Sequence, residues 1–500
     1  MDKRILLIRT YQSPATTTTG GPVPPLDLLY MASAIMKAFA DKYEIKVLDT
    51  GIGALGLEEI KKEVEDFAPH IVCLNSLIFE ADFAHKIAAV CKMVNEGAIV
   101  LMHGQLVDMA QEYILRDRNI DYGIRGEGEI TFVELLESLE KRVDPLMVKG
   151  IIYRREGKIA STPLRPYIEN LDEITISFAA WDLINIKEYA KYSNWNGSLK
   201  EKFYMPILTS RGCPFPCTFC SERETQGKRF RARSPENVFS EIQALHERYV
   251  VKEVHIFDAV FNFDVERAKE ICRLIIDSGM KLKLAFPHGI RADIMTDELM
   301  HLMRKAGTYK LTYGIETATP RLQREVKKNL DINQLRDRIT KTAQTGIIVG
   351  GYLMLGFPTE TRDEMQQTIN FAVESDLDVA AFFKVTNYND IVQFYQSRFE
   401  SLKERQGAPE KFEDFSYYSQ KRSHASVSVE ELNDLLLKAQ QRFYLNARRI
   451  WRGFFKAPHK TGFLKNLINA FGLILQSYLI NRLTNHRSNI DPQMAPAQHL

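Results

Sequence analysis

Three cysteines stand within eight residues in the stretch RGCPFPCTFC, and no other stretch concentrates residue types so well suited to chemistry. They are Cys213, Cys217 and Cys220, half of the six cysteines in a chain of 500 residues. The cytosol keeps thiols reduced, and six cysteines in so long a chain do not make a disulfide scaffold. A metal centre or a catalytic role is therefore favoured over a disulfide or a chance cluster.

The spacing of these cysteines favours an iron–sulfur cluster over zinc. A structural zinc site closes with four ligands, often as two Cys-x-x-Cys pairs. Here Cys73, Cys91 and Cys272 stand alone in apolar segments and are expected to be buried, inert thiols. Three thiolates on a four-iron cluster leave one iron open, as a cluster that binds a small molecule requires. Zinc with a fourth ligand from elsewhere, or three unligated thiols, are the alternatives.

The pattern of the chain predicts an α/β protein with two sheet domains. Up to about residue 142, apolar runs alternate with amphipathic segments of helix length, which predicts a doubly wound, Rossmann-like parallel sheet. The alternation resumes at residue 203 as six strand–helix units, which predict a partial (β/α)6 barrel. The cysteine loop, Asp258, Arg291 and Glu316 all follow barrel strands. The chemistry is therefore expected at the carboxyl ends of those strands.

Five regions follow from these patterns. The linker opens with two strand-like pieces, GIIYRR and KIAST, around an EG turn. Beyond the barrel, RRIWRGFFKAPHK is basic and aromatic, and the apolar stretch at 463–480 is interrupted by polar residues, which favours an interfacial or docking helix over a membrane span. The predicted regions are a Rossmann-like domain at 1–145, a linker at 146–202, the barrel at 203–400, a helical region at 401–485 and a disordered tail at 486–500.

The sequence around the cysteines resembles the radical S-adenosylmethionine (SAM) enzymes. The Cys-x3-Cys-x2-Cys spacing, Phe219 before the last cysteine, and the run RFRARSPENVFSEI are similar to the branch that carries an N-terminal cobalamin-binding domain. The resemblance implies that the three cysteines hold a [4Fe–4S] cluster and that SAM chelates the open iron. An electron from the cluster would then cleave SAM and give a 5′-deoxyadenosyl radical.

Four further segments resemble the SAM-binding segments of that family: YGIETAT, GGYLMLGFPTET, GIRAD and FDAVFN. By resemblance, the carboxylate of the first holds the ribose and amino acid portions of SAM, and the arginine of the third pairs with its carboxylate. The backbone of the second lies against the adenine. An ion-paired arginine, a strand-capping aspartate and a helix-starting glutamate are the alternatives. The implied SAM-binding residues are Phe219, Asp258, Arg291, Glu316, Gly350, Gly351 and Gly356.

The N-terminal domain resembles the cobalamin domains of this branch in PPLDLLYMASAI and DYGIRGEGEITFVELLESL. The sequence has no Asp-x-His-x-x-Gly motif, so the resemblance implies cobalamin bound without a protein histidine on cobalt. His103 is interpreted as a corrin-edge contact or a crevice-lining residue rather than a ligand. The implied cobalamin-binding residues are Ser76, Gly104, Gly126, Glu127 and Gly128.

The resemblance implies a cobalamin-dependent radical SAM enzyme, a methyltransferase that acts on an unactivated carbon of a small or lipid-like metabolite. Radical cyclisation, rearrangement or oxidation, as in tetrapyrrole ring-forming relatives, is one alternative. A non-catalytic cobalamin or iron–sulfur sensor is another. The implied partners are the substrate and an external electron donor of flavodoxin or ferredoxin type, with a peripheral membrane contact expected through the C-terminal tail.

Charge and the N-terminal residues bear on partners and location. Lys plus Arg is 66 and Asp plus Glu is 64, which gives a net charge of +2. This nearly even balance argues against a nucleic-acid partner. The start MDKRILLIRT runs directly into a strand-like stretch and lacks the form of a signal peptide. We therefore expect a cytoplasmic protein.

Overall fold

The computed structural model describes residues 3–11, 22–193, 199–400, 422–457 and 459–461, together with 464 and 468. The expected tail at 486–500, and the apolar stretch at 463–480 apart from two of its residues, lie outside the described residues. The chain splits into two compact units. Unit 1 comprises Met1–Tyr189, Ser221–Arg231 and Asn387–Ser416, and unit 2 comprises Ala190–Cys220, Ala232–Thr386 and Tyr417–Leu500.

The strands are short, as is usual for parallel sheets under helices. In chain order they are β1 (Lys3–Arg9), β2 (Tyr43–Asp49), β3 (Ile71–Asn75), β4 (Ile99–His103), β5 (Tyr122–Ile124), β6 (Ile151–Arg155), β7 (Lys158–Ser161), β8 (Met205–Ile207), β9 (Ser210–Arg211), β10 (Arg231–Ala232), β11 (Glu253–Ile256), β12 (Lys283–Ile290), β13 (Thr308–Glu316), β14 (Ile348–Leu355) and β15 (Val379–Lys384).

No helix in the described part of the chain combines the length and the hydrophobicity needed to cross a bilayer. The helices are α1 (Leu26–Phe39), α2 (Leu57–Phe67), α3 (Ala81–Val94), α4 (Gln105–Ala110), α5 (Gly128–Lys141), α6 (Phe178–Trp181), α7 (Ile186–Ser193), α8 (Glu222–Thr225), α9 (Pro235–Tyr249), α10 (Val265–Asp277), α11 (Asp297–Lys305), α12 (Pro320–Glu325), α13 (Ile332–Gln344), α14 (Arg362–Glu374), α15 (Tyr388–Glu400), α16 (Val429–Tyr444) and α17 (Ala447–Lys456).

Unit 1 is built on a sheet that, in the described residues, has seven strands in the order β2-β1-β3-β4-β5-β6-β7. The first five are parallel, and β6 and β7 continue the sheet as an antiparallel hairpin on β5. The order 2-1-3-4-5 is that of a doubly wound domain, whose ligand crevice lies beyond the carboxyl ends of the strands. The predicted Rossmann-like architecture is confirmed, and the strand pair predicted within the linker belongs to this sheet.

Unit 1 is completed by a helix from much later in the chain. Ile391 and Tyr395 of α15 are buried in the same core cluster as strands β1, β3 and β4. Between the two segments stands His85 of α3, whose Nδ1 lies 2.8 Å from Asp117 Oδ2 and whose Nε2 lies 2.8 Å from the Tyr395 hydroxyl. An imidazole with a partner on each nitrogen fixes α15 to this unit.

Unit 2 is a curved sheet of parallel strands in the order β15-β14-β13-β12-β11-β8. Consecutive strands are neighbours and helices connect them, so the predicted partial (β/α)6 barrel is confirmed. The helices begin for a shared local reason. Five of them start after a Ser, Thr or Asp whose side chain accepts a hydrogen bond from a backbone N–H of the first turn. These caps are Ser234, Asp264, Thr296, Asp331 and Thr361.

Two barrel strands differ from the sequence pattern. The pattern predicts one strand over 203–212, but β8 ends at Ile207 because the N–H and hydroxyl of Thr209 turn towards the carboxylate of Asp258. The pattern also predicts a strand over 281–287, whereas β12 continues to Ile290. The extension includes an irregularity in its pairing with β13, which apolar periodicity does not reveal.

Helix α17 is fastened to the barrel by the buried Arg449, together with Arg452 and Lys456, which pair with Asp376 and Asp378. Arg449 is 6% exposed, and its guanidinium lies 3.7 Å from the ring centroid of Phe443. Its N–H groups donate to carbonyl oxygens at the end of α14, just beyond it and at the end of α16, and the last carbonyls of a helix have no partner within that helix. The acceptors are the carbonyls of Ala372, Val373, Ser375, Leu377 and Phe443.

The substitution Arg449→Met should lower the free energy of unfolding by roughly 2–4 kcal/mol, because several buried carbonyls lose their donor. Arg448→Met is the matched control, since the Arg448 side chain is 87% exposed and surface charges contribute about 0–1 kcal/mol. Urea unfolding followed by circular dichroism measures both. Equal losses in the two variants would contradict this role of Arg449.

Candidate active site

The cysteine loop of unit 2 follows β8 and β9 and is tied to the segment after α12. The N–H of Thr218 donates to the carbonyl of Val326 at 3.1 Å. The Sγ of Cys217 lies 4.0 Å from the carbonyl oxygen of Lys327. Since α12 follows β13, these contacts hold the loop against the carboxyl end of the barrel, where the sequence placed it.

Two aromatic side chains of the loop make the other contacts. Phe219 meets Phe357, which follows β14, edge to face with ring centroids 5.7 Å apart. Phe215 lies under the guanidinium of Arg291, which is 3.7 Å from its ring centroid. The loop is therefore packed against residues that follow β12, β13 and β14. Phe219, an implied SAM contact, is in this way joined to the turn that begins at Gly356.

The six cysteines, all within the described residues, form no disulfide. Cys73, Cys91 and Cys272 are buried, and burial raises the pKa of each thiol to about 12. The expectation that these three are buried is confirmed, and a raised pKa is typical of an inert thiol. The cysteines of the loop differ, because two are partly exposed and Cys220 is exposed.

Two cations stand near the loop thiols. Burial raises the pKa of Cys217, while Lys328 and Arg291 lower it and Glu316 raises it. Among the residues whose positions are described, no three His, Cys or carboxylate side chains converge on a single ion. Thiolates of a [4Fe–4S] cluster bind different irons, so they are spaced more widely than ligands of one ion. Three soft thiol donors beside two cations fit such a cluster.

Glu316 is the last residue of β13 and is held in a strained conformation. Its φ is +65°, a left-handed conformation that costs a residue with a side chain about 1–3 kcal/mol. Its carboxylate is buried and lies 3.1 Å from Lys328 Nζ. Because α12 begins only at Pro320, Glu316 does not start a helix, which removes that alternative. Strain of this kind is typical of residues that serve a site.

The implied SAM contact Arg291 already has a carboxylate partner in the protein. Its Nε and Nη2 each donate to Asp293 at 2.9 Å, and Nη2 also donates to the carbonyl of Lys328 at 2.9 Å. Its own carbonyl accepts a hydrogen bond from the buried Asn262 side chain. The structure thus contains the ion pair that is the alternative to a SAM contact, and places it beside the cysteine loop.

Asp258 braces the end of β8. Its carboxylate accepts hydrogen bonds from the N–H and hydroxyl of Thr209 and from the hydroxyl of Ser210. It is 2% exposed. Asp258 therefore caps the end of a strand, which is the alternative to a SAM contact. It holds in place the segment that leads into the cysteine loop.

Close packing between strands explains why two of the three implied SAM-binding glycines must be glycine. A Cβ on Gly350 would lie 2.7 Å from the hydroxyl of Thr312 on the neighbouring strand. A Cβ on Gly351, which faces the opposite side, would lie 2.8 Å from side-chain atoms of Ile315 and Leu377. Since both clashes are with protein atoms, β13 and β14 require glycine here whatever else binds.

Gly356 opens a turn that depends on Glu360, a residue that the sequence pattern did not single out. Its φ is +97°, and its N–H and that of Phe357 donate to one carboxylate oxygen of Glu360, at 2.7 and 3.0 Å. Burial raises the pKa of Glu360 to about 7. The signal was an acidic residue in the turn GFPTET, four positions after the glycine.

The implied cobalamin residues of unit 1 stand at the ends of three neighbouring parallel strands. Ser76 follows β3, Gly104 follows β4, and Gly126 to Gly128 follow β5. The N–H of Ser76 donates to the carbonyl of His103 at 3.1 Å, and a Cβ on Gly104 would lie 3.0 Å from the carbonyl oxygen of Ser76. At Gly126 a Cβ would meet nothing within 4 Å. Small residues and open space along this edge fit a large cofactor.

His103 lines this edge and has both ring nitrogens occupied. Its Nδ1 lies 3.1 Å from Asn75 Nδ2, which can only donate, so Nδ1 accepts. Nε2 therefore carries the hydrogen and donates to the carbonyl of Gly126 at 3.0 Å. A Cβ on Gly128 would lie 3.1 Å from this Nε2. No lone pair is left for a metal, so the residues fit cobalamin held without a protein histidine.

Glu127 is a partner of Arg231, a second residue that sequence reasoning missed. The two form a buried ion pair at 2.8 Å, and the other oxygen of Glu127 accepts the N–H of Ile168 at 2.6 Å. Arg231 also donates to the carbonyls of Ile168 and Gln226 and lies over the ring of Tyr167. The run RFRARSPENV contains Arg231, but its partner lies more than a hundred residues earlier.

Comparison with known proteins decides the family. The radical SAM superfamily matches residues 207–372, and the B12 binding domain matches residues 13–136. The curated relative named "Uncharacterized methyltransferase PH0819", from Pyrococcus horikoshii, is 32% identical over 387 residues, which cover 77% of this chain and 81% of the relative. The chain belongs to the cobalamin-dependent radical SAM enzymes. The resemblance seen in the sequence is confirmed.

Several curated relatives of this chain are named methyltransferases, and others are named anaerobic magnesium-protoporphyrin IX monomethyl ester cyclases. Cytidylyl-2-hydroxyethylphosphonate methyltransferase of Streptomyces wedmorensis is 29% identical over 408 residues, covering 72% of this chain and 75% of that protein. The methyltransferase TsrM from Kitasatospora setae, solved with cobalamin and a [4Fe–4S] cluster, has the same fold, with a TM-score of 0.65 at 19% identity over 77% of this chain and 75% of that one.

The predicted enzyme class is confirmed, as are the three cofactors. The protein is a radical SAM enzyme of the methyltransferase group, and its cofactors are a [4Fe–4S] cluster, SAM and cobalamin. Like other radical SAM enzymes it needs a small-molecule substrate and a reductant.

Replacing any cysteine of the loop, as in Cys213→Ala, Cys217→Ala or Cys220→Ala, should remove the cluster and SAM cleavage together, because each thiolate binds a different iron. Iron and sulfide content and anaerobic release of 5′-deoxyadenosine measure the two effects. Cys272→Ala, a buried thiol of the same unit, is the control and should retain both. A loop variant with a full cluster and full activity would refute the ligand assignment.

Proposed function

We propose that this enzyme transfers a methyl group from SAM to an unactivated carbon of a small or lipid-like metabolite. The observation that carries the proposal is the three-thiol loop beside Lys328 and Arg291 in unit 2. In unit 1 of the same chain the edge of the sheet is lined by glycines, and both ring nitrogens of His103 are occupied. When bound, the cluster and cobalamin supply reductive cleavage of SAM and carriage of the methyl group.

The residues implied by the resemblance take distinct proposed roles. Cys213, Cys217 and Cys220 hold the cluster, and Glu316 accepts hydrogen bonds from SAM, a role that its buried carboxylate at a strand end supports. Asp258 and Glu127, whose oxygens accept hydrogen bonds from the protein, act by positioning the loops that bind. The remaining proposed contacts are Phe219, Arg291, Gly350, Gly351 and Gly356 for SAM, and Ser76, Gly104, Gly126 and Gly128 for cobalamin.

The domain boundaries, location and electron donor are also proposals. The proposed ranges are those of the sequence pattern, with cobalamin bound by residues 1–145 and SAM by 203–400, while β6, β7 and α15 belong to unit 1. The lack of a nucleic-acid partner is supported by the nearly even charge balance, and a cytoplasmic location by the reduced thiols that the cluster needs. An electron donor of flavodoxin or ferredoxin type would supply the electron for SAM cleavage.

Reduced enzyme given methyl-deuterated SAM and a metabolite extract of its host should pass the label to a metabolite. S-adenosylhomocysteine and 5′-deoxyadenosine should form in equal amounts, because one SAM gives the methyl group and another gives the radical. Mass spectrometry measures all three products. 5′-Deoxyadenosine without S-adenosylhomocysteine would instead indicate cyclisation, rearrangement or oxidation, and no SAM cleavage by enzyme with a full cluster would indicate a sensor.

We further propose a peripheral membrane contact through the C-terminal region. Trp451 and Phe455 of α17 are 65% and 68% exposed, and their rings stack with centroids 5.7 Å apart. Exposed aromatic residues beside the exposed Arg448 are typical of a helix that lies in a membrane interface.

The double substitution Trp451→Ser and Phe455→Ser should reduce co-sedimentation with anionic liposomes, since apolar area is what enters the interface. Met93→Ser is the control, because Met93 is 66% exposed but belongs to unit 1. If the double variant and the unaltered protein pellet equally, the contact does not exist.

A further inference from the structure

The inner face of the barrel carries a wall of aromatic rings. Tyr204 and His255 are stacked, with centroids 3.8 Å apart and 10° between their planes. Phe257 and His288 are stacked at 4.3 Å, and Tyr204 lies 6.4 Å from Phe257, which joins the two pairs. All four residues belong to unit 2. Such a surface offers stacking to a planar ring.

Lys310 of β13 faces the same interior. It pairs with Ala285 of β12, which pairs with His255 of β11, and in-register neighbours point to the same side of a sheet. The hydroxyl of Tyr313 lies 2.7 Å from that of Thr342 on α13, so Tyr313 faces the helical layer. Since side chains alternate along a strand, Lys310, three positions earlier, faces the barrel interior.

The ammonium group of Lys310 has no hydrogen-bond or ion-pair partner among the described residues. Burial lowers its pKa and Glu253 raises it, but Glu253 is not in contact with it. The carboxylate of Glu253 has its oxygens occupied by other donors. These are the Nε2 of His255, the hydroxyl of Tyr309 and the backbone N–H groups of Lys200 and Glu201, at 2.6–3.0 Å.

Other cations surround this end of the barrel. Burial lowers the pKa of Lys200, and Lys283, Arg304 and Lys460 lower it further, while Glu253 raises it. Lys310 and Lys200 both lie within the electrostatic influence of Glu253, whereas Arg304 and Lys460 are exposed to solvent. An interior lined by aromatic rings and carrying a lysine without a partner attracts a ligand that is both planar and anionic.

We infer that the barrel interior binds a planar, ring-containing carboxylic acid, with the carboxylate on Lys310 and the ring on the wall of Tyr204, His255, Phe257 and His288. The inference rests on the proposed function and names its substrate class. A carboxylate provides the charge-assisted hydrogen bonds that the lysine lacks. Lys310 stands six residues before Glu316, about 20 Å along β13. The acidic group and the methyl-accepting carbon therefore lie at opposite ends of the substrate.

Equilibrium binding of probe acids tests this without turnover. Enzyme carrying its cluster, cobalamin and SAM, with no reductant, is titrated calorimetrically with 2-naphthoate and indole-3-acetate and with the matching amides, 2-naphthamide and indole-3-acetamide. At least one acid should bind about tenfold or more tightly than its amide, the factor expected of a buried charged hydrogen bond. Lys310→Met should abolish that preference, whereas Lys305→Met, at an exposed lysine, should keep it.

Two further variants keep the test decisive if Lys310→Met folds poorly. Lys310→Arg retains the charge and should retain the preference for the acid, and Phe257→Leu should weaken the acid and its amide by similar factors. The inference is overturned if neither acid binds the unaltered enzyme, if acids bind no more tightly than amides, or if Lys310→Met keeps the preference. Acid binding by an enzyme that, once reduced, passes no methyl label to any metabolite would overturn the proposed function and leave this inference standing.

Discussion

The structure depends most on one constraint, the parallel pairing of neighbouring strands. In a parallel sheet the carboxyl ends of all strands lie at the same edge. The segments that follow the strands therefore meet at that edge, although they are far apart in sequence. In unit 2 this places the cysteine loop, Arg291, Glu316 and Gly356 at one end of the barrel. In unit 1 it places Ser76, Gly104 and Gly126 along one edge of the sheet. Both sites follow from sheet topology before any side chain is considered.

Buried carboxylates then fix the segments that the topology brings together. Asp258 holds the chain before the cysteine loop, Glu360 closes the turn at Gly356, and Glu127 binds Arg231. Each accepts hydrogen bonds from backbone N–H groups or from an arginine, because a buried carboxylate without such donors would be costly. In each case a buried carboxylate holds a loop in position.

The sequence predicted what local patterns encode. Apolar alternation located almost every strand, and the cysteine spacing indicated a cluster, because both signals lie within short windows of the chain. Arg231, Glu360 and Lys310 were not found, since their importance comes from partners or neighbouring strands distant in sequence. The early end of β8 was missed for the same reason, because Asp258 lies about fifty residues after it. Predictions failed where a side chain from elsewhere redirected the backbone.

Neither unit is continuous in the chain, and this has a consequence for synthesis on the ribosome. Unit 1 needs Tyr395 of α15 to complete the contact with His85, and unit 2 needs Arg449 to close α14. Both residues emerge after β15, the last strand of the barrel. At about 5–20 residues per second, roughly 12–47 seconds separate the end of β7 from Tyr395, and roughly 3–13 seconds separate the end of β15 from Arg449. The order of the elements thus leaves both sheets without their last contacts while translation continues.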